Sequence, residues 1–148
     1  MTATRFDRVF KAEHGEIAVL MEAFGSFAEE ASLPADAVFK IELVLDELMN
    51  NTIDYGYPDG AAGEIRVAIE RLPGRVTIDY ADDARLFDPF ALPEPDVTLG
   101  IDERKPGGLG VHLVRKLMSE SAYTVERERN HIRLGLGLDD PTGPSPPP

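Results

Sequence analysis

Apolar residues recur along this chain at two different intervals. Between Glu13 and Ala31, the residues Ile17, Leu20, Met21, Phe24, Phe27 and Ala28 return every three or four positions, which places them on one face of a helix. Ser32 and Pro34 break that run, and Pro34 suits the start of a second helix, where its missing N–H forfeits nothing. The second helix carries the stripe Val38, Ile41, Leu45, Leu48 and Thr52 and ends at Gly56. Tyr57-Pro58-Asp59-Gly60 then reverses the chain. Beyond it the period shortens to two: Ile65, Val67 and Ile69 alternate with polar neighbours, and Pro73-Gly74 turns the chain into Val76, Ile78 and Tyr80. This predicts a β-hairpin. A third helix is predicted from Leu109, Leu113, Val114, Leu117 and Met118. A closing hairpin follows from Tyr123 and Val125, a turn near Asn130, and Ile132, Leu134 and Leu136. Near the start, Phe6, Arg8 and Phe10 alternate with Asp7 and Val9 as a short edge strand.

The predicted order is β-α-α-β-β-lid-α-β-β. The lid is the proline-rich stretch between Asp82 and Gly108, which is much longer than an ordinary connection. Two hairpins argue for a mixed, mostly antiparallel sheet, and three amphipathic helices need one apolar face to cover, so the fold class is a two-layer α+β sandwich. A single domain is expected over residues 1–138. The remaining residues, 139–148, hold five of the twelve prolines and offer almost nothing apolar to bury, which reads as a disordered tail.

Charge narrows the function classes. With 27 acidic against 15 basic residues the net charge is −12, which opposes direct binding to nucleic acid or to an anionic membrane surface. There is no cysteine, and Arg5, Asp7 and Arg8 stand where a signal peptide would need an apolar run, so a cytoplasmic protein is expected. The three histidines, His14, His112 and His131, lie far apart and lack the spacing of a metal site, which disfavours a metal hydrolase.

Three constellations carry candidate chemistry. Glu47 and Asn51 are four residues apart and share a helix face, a turn away from the apolar stripe. A carboxylate there can take a proton from a hydroxyl, and an amide oxygen suits a hard cation such as Mg²⁺, although the same pair is also common on a solvated helix face. Asp82 and Asp83 follow the Val76–Tyr80 strand, and either carboxylate could accept a hydrogen bond from an adenine amino group or simply cap the loop. Gly107, Gly108 and Gly110 open the third helix, where close backbone approach and the positive helix end favour phosphate. Arg104 and Lys105 precede them as candidate γ-phosphate contacts or as a solvated basic pair.

In this order, the Glu47/Asn51 helix, the Asp82 loop and the Gly107–Gly110 turn resemble the N, G1 and G2 boxes of the GHKL superfamily of ATPases and kinases. More narrowly, the run Leu45 to Tyr57, the Phe87-Asp88-Pro89 segment and Gly107 through Met118 resemble the RsbW/SpoIIAB branch of anti-sigma-factor serine-protein kinases. The similarity spans about Phe6 to Leu138. It implies a Bergerat ATP-binding fold, ATP with Mg²⁺, a bound sigma factor, possible homodimers, and phosphate transfer to Ser or Thr of a STAS-domain antagonist.

On this resemblance Glu47 would be the general base, Asn51 the magnesium ligand and Asp82 the adenine partner. Gly107, Gly108 and Gly110 would cradle the phosphates, with Lys105 or Arg104 neutralising charge. One departure stands out: the family's aspartate-any-glycine motif is Asp82-Asp83-Ala84 here, and an alanine at a position needing positive φ would cost on the order of 1 kcal/mol. Arg85 and Leu86 also differ from the small or proline residues usual there. Two other readings compete. One is a non-catalytic sequestering module with a degenerate nucleotide site. The other is a histidine-kinase catalytic domain, for which this sequence has no room for a dimerising helix hairpin with a phospho-accepting histidine.

Overall fold

The computed structural model describes residues 4–58, 60, 63–91 and 108–138. The chain forms β1 (Arg5–Lys11), α1 (Gly15–Glu30), α2 (Ala35–Tyr55), β2 (Glu64–Leu72), β3 (Arg75–Asp82), a short 3₁₀ turn (Pro89–Ala91), α3 (Gly108–Leu117), β4 (Glu120–Glu126) and β5 (Arg129–Gly137). The five strands form one open sheet in the order β1-β2-β3-β5-β4, and all four pairings are antiparallel. The two-layer α+β class therefore holds, with no parallel pair among the described strands. The predicted lid falls mostly on residues 92–107 and the tail on 139–148, both outside the described residues.

Alternation builds the core. Ile65, Val67 and Ile69 of β2, Val76, Ile78 and Tyr80 of β3, and Ile132, Leu134 and Leu136 of β5 face the helices and are buried. They meet Leu20, Phe24 and Phe27 of α1 and Ile41, Val44, Leu45 and Leu48 of α2. Phe6 of β1 lies against Phe27, ring centroids 5.8 Å apart. Pro34 caps the start of α2 in an extended conformation, as its fixed φ favours.

The outer sheet face is polar. Arg66 of β2 holds Asp7 of β1 at 2.9 and 2.5 Å, and Arg133 of β5 reaches Asp79 at 3.2 Å and Glu126 at 3.0 Å. One boundary differs from expectation: the last hairpin turns at Arg127 and Glu128, both at positive φ, and Asn130 already belongs to β5.

Candidate functional site

The inward alternation of two neighbouring strands ends in polar residues. On β3 the series Val76, Ile78, Tyr80 continues to Asp82, and on β5 the series Leu136, Leu134, Ile132 continues to Asn130. Asp82 and Asn130 are register partners, so their side chains emerge together at one end of the sheet, under α2. Both are buried, with 4% and 6% of their surface exposed.

Every side-chain polar group of Asn130 is engaged. Its amide donates to Asp82 Oδ1 at 2.8 Å and to the carbonyls of Ala84 and Arg85 at 3.3 and 3.0 Å. Its oxygen accepts from the Phe87 N–H at 3.0 Å and from the Tyr123 hydroxyl at 2.5 Å. One side chain thus fixes the carboxylate and the loop that follows it. Asn130 sits beside the expected turn, and the signal for its role is the period of two, which reaches it from Ile132 and Leu134.

Asp82 Oδ1 also accepts the Ala84 N–H at 3.1 Å, and Oδ2 accepts the Thr52 hydroxyl at 3.2 Å. Thr52 in turn lies 2.7 Å from the Tyr80 hydroxyl, which donates to the Leu48 carbonyl at 3.1 Å. The helical period puts Thr52 in the apolar stripe of α2, and its methyl suits that stripe while its hydroxyl clips α2 to β3. Burial pushes the Asp82 carboxyl above its ordinary range, against the hydrogen bonds from Asn130, Ala84 and Thr52 that favour the ionised form.

The two aspartates separate by role. Asp83 is exposed and accepts the Tyr57 hydroxyl at 2.6 Å and the Glu64 N–H at 3.0 Å, tying the end of α2 to the start of β2. Partial burial raises its carboxyl, but the hydrogen bonds from Tyr57 and from the Glu64 and Asp83 N–H groups, with the charge of Arg129, together hold it below the ordinary range. Asp83 is a strut, and Asp82 is the inward carboxylate.

The strain expected at Ala84 is absent. Among the described non-glycine residues only Ser32, Arg127 and Glu128 adopt positive φ. The Ala84 methyl is buried and packs toward Gly56, where an added Cβ would come within 2.6 Å of it and 2.5 Å of the Thr52 carbonyl. Gly56 is therefore needed for close approach, since its own φ of −81° is open to any residue. Arg85 donates its N–H to the Gly56 carbonyl at 3.0 Å, and the Arg85 and Leu86 side chains point into solvent.

On α2, Glu47 and Asn51 are half-buried on the face next to Leu48 and Thr52. Burial, and then the neighbouring charge of Asp46, raise the Glu47 carboxyl above its ordinary range. Asn50 is tied back to Asp46, donating to its carbonyl at 2.8 Å and its Oδ1 at 3.2 Å. The Asn51 side chain, in contrast, makes no hydrogen bond among the described residues, which leaves its amide oxygen available. α3 packs against α2, with Gly108 at its first position and Gly110 within its first turn. Glu47 and Asn51 thus lie on α2, which is hydrogen-bonded to β3 carrying Asp82 and packed against α3 carrying Gly108 and Gly110. Arg104, Lys105 and Gly107 lie outside the described residues.

The sequence profile of the histidine kinase-like ATPase domain matches residues 10–136. The chain belongs to this family. Among curated relatives, the serine/threonine-protein kinase BtrW of Bordetella bronchiseptica is 27% identical over 96 residues, covering 65% of this chain and 68% of its own length. The serine-protein kinase RsbW of Bacillus velezensis is 24% identical over 114 residues, covering 74% of this chain and 71% of its own. RsbW of Bacillus subtilis is 20% identical over 127 residues, covering 82% and 76%.

Family membership implies an ATP-binding domain. The donor set suits that ligand: Asp82 Oδ2 accepts one hydrogen bond and as a carboxylate oxygen can accept a second, of the kind an amino group supplies. The Asn51 oxygen is a hard donor of the kind Mg²⁺ takes alongside its waters. Among the described residues no helix is long and apolar enough to cross a membrane, and no cluster of three or more metal-ligating side chains occurs.

Proposed function

We propose that the chain is an ATP-dependent serine/threonine-protein kinase that phosphorylates a STAS-domain antagonist and also binds a sigma factor, switching between the two partners. The observation that carries this reading is the pairing, one helical turn apart, of a carboxylate raised by burial and an unengaged amide. The similarity to chains named serine-protein kinases supports it.

Bound Mg-ATP supplies the transferable phosphoryl group and the cation that offsets its charge. Asp82 accepts the adenine amino group and selects adenine over guanine, whose carbonyl would face a carboxylate. Asn51 offers its oxygen to Mg²⁺. The backbone N–H groups at the N-terminus of α3, with Gly108 and Gly110, would hold the phosphates, and Gly107 and Lys105 or Arg104, which lie outside the described residues, are assigned to the same ligand by the resemblance. Glu47 takes the proton of the attacking serine or threonine hydroxyl, and its raised pKa makes it a better base near neutral pH than an ordinary carboxylate.

Radiolabelled phosphate transfer to a purified STAS-domain protein tests this reading. Glu47→Gln is expected to slow transfer at least about 100-fold while ATP still binds. Undiminished transfer in that variant would remove Glu47 from the chemistry, and ATP binding without transfer by the unaltered chain would favour a sequestering module.

A further inference from the structure

The helical layer carries a marked excess of acid. α1 has four carboxylates and no cation; α2 has five, with Lys40 as its one cation. Lys40 is held by Asp36 at 3.0 Å. Between the C-terminal half of α1 and the N-terminal half of α2 lies a groove of about 440 Å³, lined by Gly25, Ala28, Leu33 and Val38, with Glu29 on one wall and Glu42 on the other. Nothing lies within 4 Å of where a Cβ on Gly25 would stand, so the floor is open there. Phe39 also lines the groove with 61% of its surface exposed, the largest value among the exposed large hydrophobic residues described. Neither Glu29 nor Glu42 has an ion-pair partner among the described residues.

This groove is separate from the nucleotide site. Glu42 and Asn51 are nine residues apart on α2, which at 3.6 residues per turn sets them on opposite sides of the helix.

We propose that the groove docks a segment of a protein partner in which an apolar side chain is flanked by lysine or arginine. The apolar chain would cover Phe39, Val38 and Leu33, and the flanking cations would meet Glu29 and Glu42. Charge complementarity selects this occupant: a chain of net charge −12 attracts a basic segment from a distance, and the two glutamates fix its register. A second copy of the chain would bring the same carboxylates against each other in a two-fold contact, and an anionic lipid surface would be repelled. The docking site stands whether or not the chain transfers phosphate.

Fluorescence anisotropy with the full chain tests this. The probe is a labelled helix-forming peptide with a leucine and phenylalanine stripe bordered by lysine and arginine, compared with the same peptide carrying glutamate in place of the basic residues. The basic peptide is expected to bind the unaltered chain and to bind Phe39→Ser and Glu42→Lys at least about tenfold more weakly. Glu120→Lys, the same charge change on the far edge strand, is expected to leave it unchanged, and ATP binding is expected to be equal in all four proteins. Equal weakening by Glu42→Lys and Glu120→Lys would reduce the effect to net charge and overturn the proposal, as would equal binding of the acidic peptide. A concentration-dependent dimer abolished by Phe39→Ser would assign the groove to a second copy instead.

Discussion

The two faces of the sheet each carry a polar network built around an aspartate, one of ion pairs and one of neutral hydrogen-bond donors. On the outer face Asp7, Arg66, Arg5 and Glu70 pair across β1 and β2 in contact with water. On the inner face Thr52, Tyr80, Asp82 and Asn130 are linked in the buried end of the sheet. An exposed pair can exchange its partner for water at little loss, typically under about 1 kcal/mol. A buried group that loses its partner has no replacement and costs about 1–3 kcal/mol. The outer network is therefore a tolerant surface, while the inner one holds Asp82 and the Ala84–Phe87 loop in one arrangement.

Asn130→Ala should separate the two networks most clearly. It leaves the Asp82 carboxylate, the Ala84 and Arg85 carbonyls and the Phe87 N–H without their shared partner. Denaturant unfolding is expected to show a loss of about 2–3 kcal/mol, with weaker ATP binding. Arg66→Ala on the outer face should cost under about 1 kcal/mol, shrink further in high salt and leave nucleotide affinity alone. Should Arg66→Ala cost as much as Asn130→Ala, the contrast between the faces would collapse.

The smallest expected effect is in pH dependence, where the two networks differ in sign. The hydrogen bond from Arg66 lowers the Asp7 carboxyl below its ordinary value of 3.8, so Asp7 contributes stability above that pH and loses it as pH falls through the lowered value. Burial raises Asp82, so between the ordinary and the raised value the folded chain binds more protons and stability declines as pH rises. Urea midpoints should show Asp7→Asn flattening the first trend below pH 3.8 and Asp82→Asn the second above it. Slopes of the same sign for both would mean that burial does not govern Asp82.

Much of the fold was legible because its periods are clean. The stripes of α1 and α2 and the alternation of β2, β3 and β5 each place a buried series that the structure bears out. Asn130 escaped because a polar residue beside a turn looks like part of the turn until its register partner on β3 is known. Thr52 escaped because a threonine fits an apolar stripe by shape, and only the approach of Tyr80 and Asp82 gives its hydroxyl a purpose. Ala84 is illegible in sequence for a related reason. The meaning of a missing glycine depends on local φ and on what the methyl meets, and here it meets the space that Gly56 leaves.

Calorimetric titration with ATP, with and without Mg²⁺ and alongside GTP, tests the central claim most directly. The unaltered chain is expected to bind ATP in preference to GTP and to need Mg²⁺ for full affinity. Asp82→Ala is expected to lose at least about tenfold in ATP affinity, and Asn51→Ala to lose the magnesium dependence. No ATP binding at millimolar concentration, or equal binding of ATP by the unaltered chain and both variants, would contradict it.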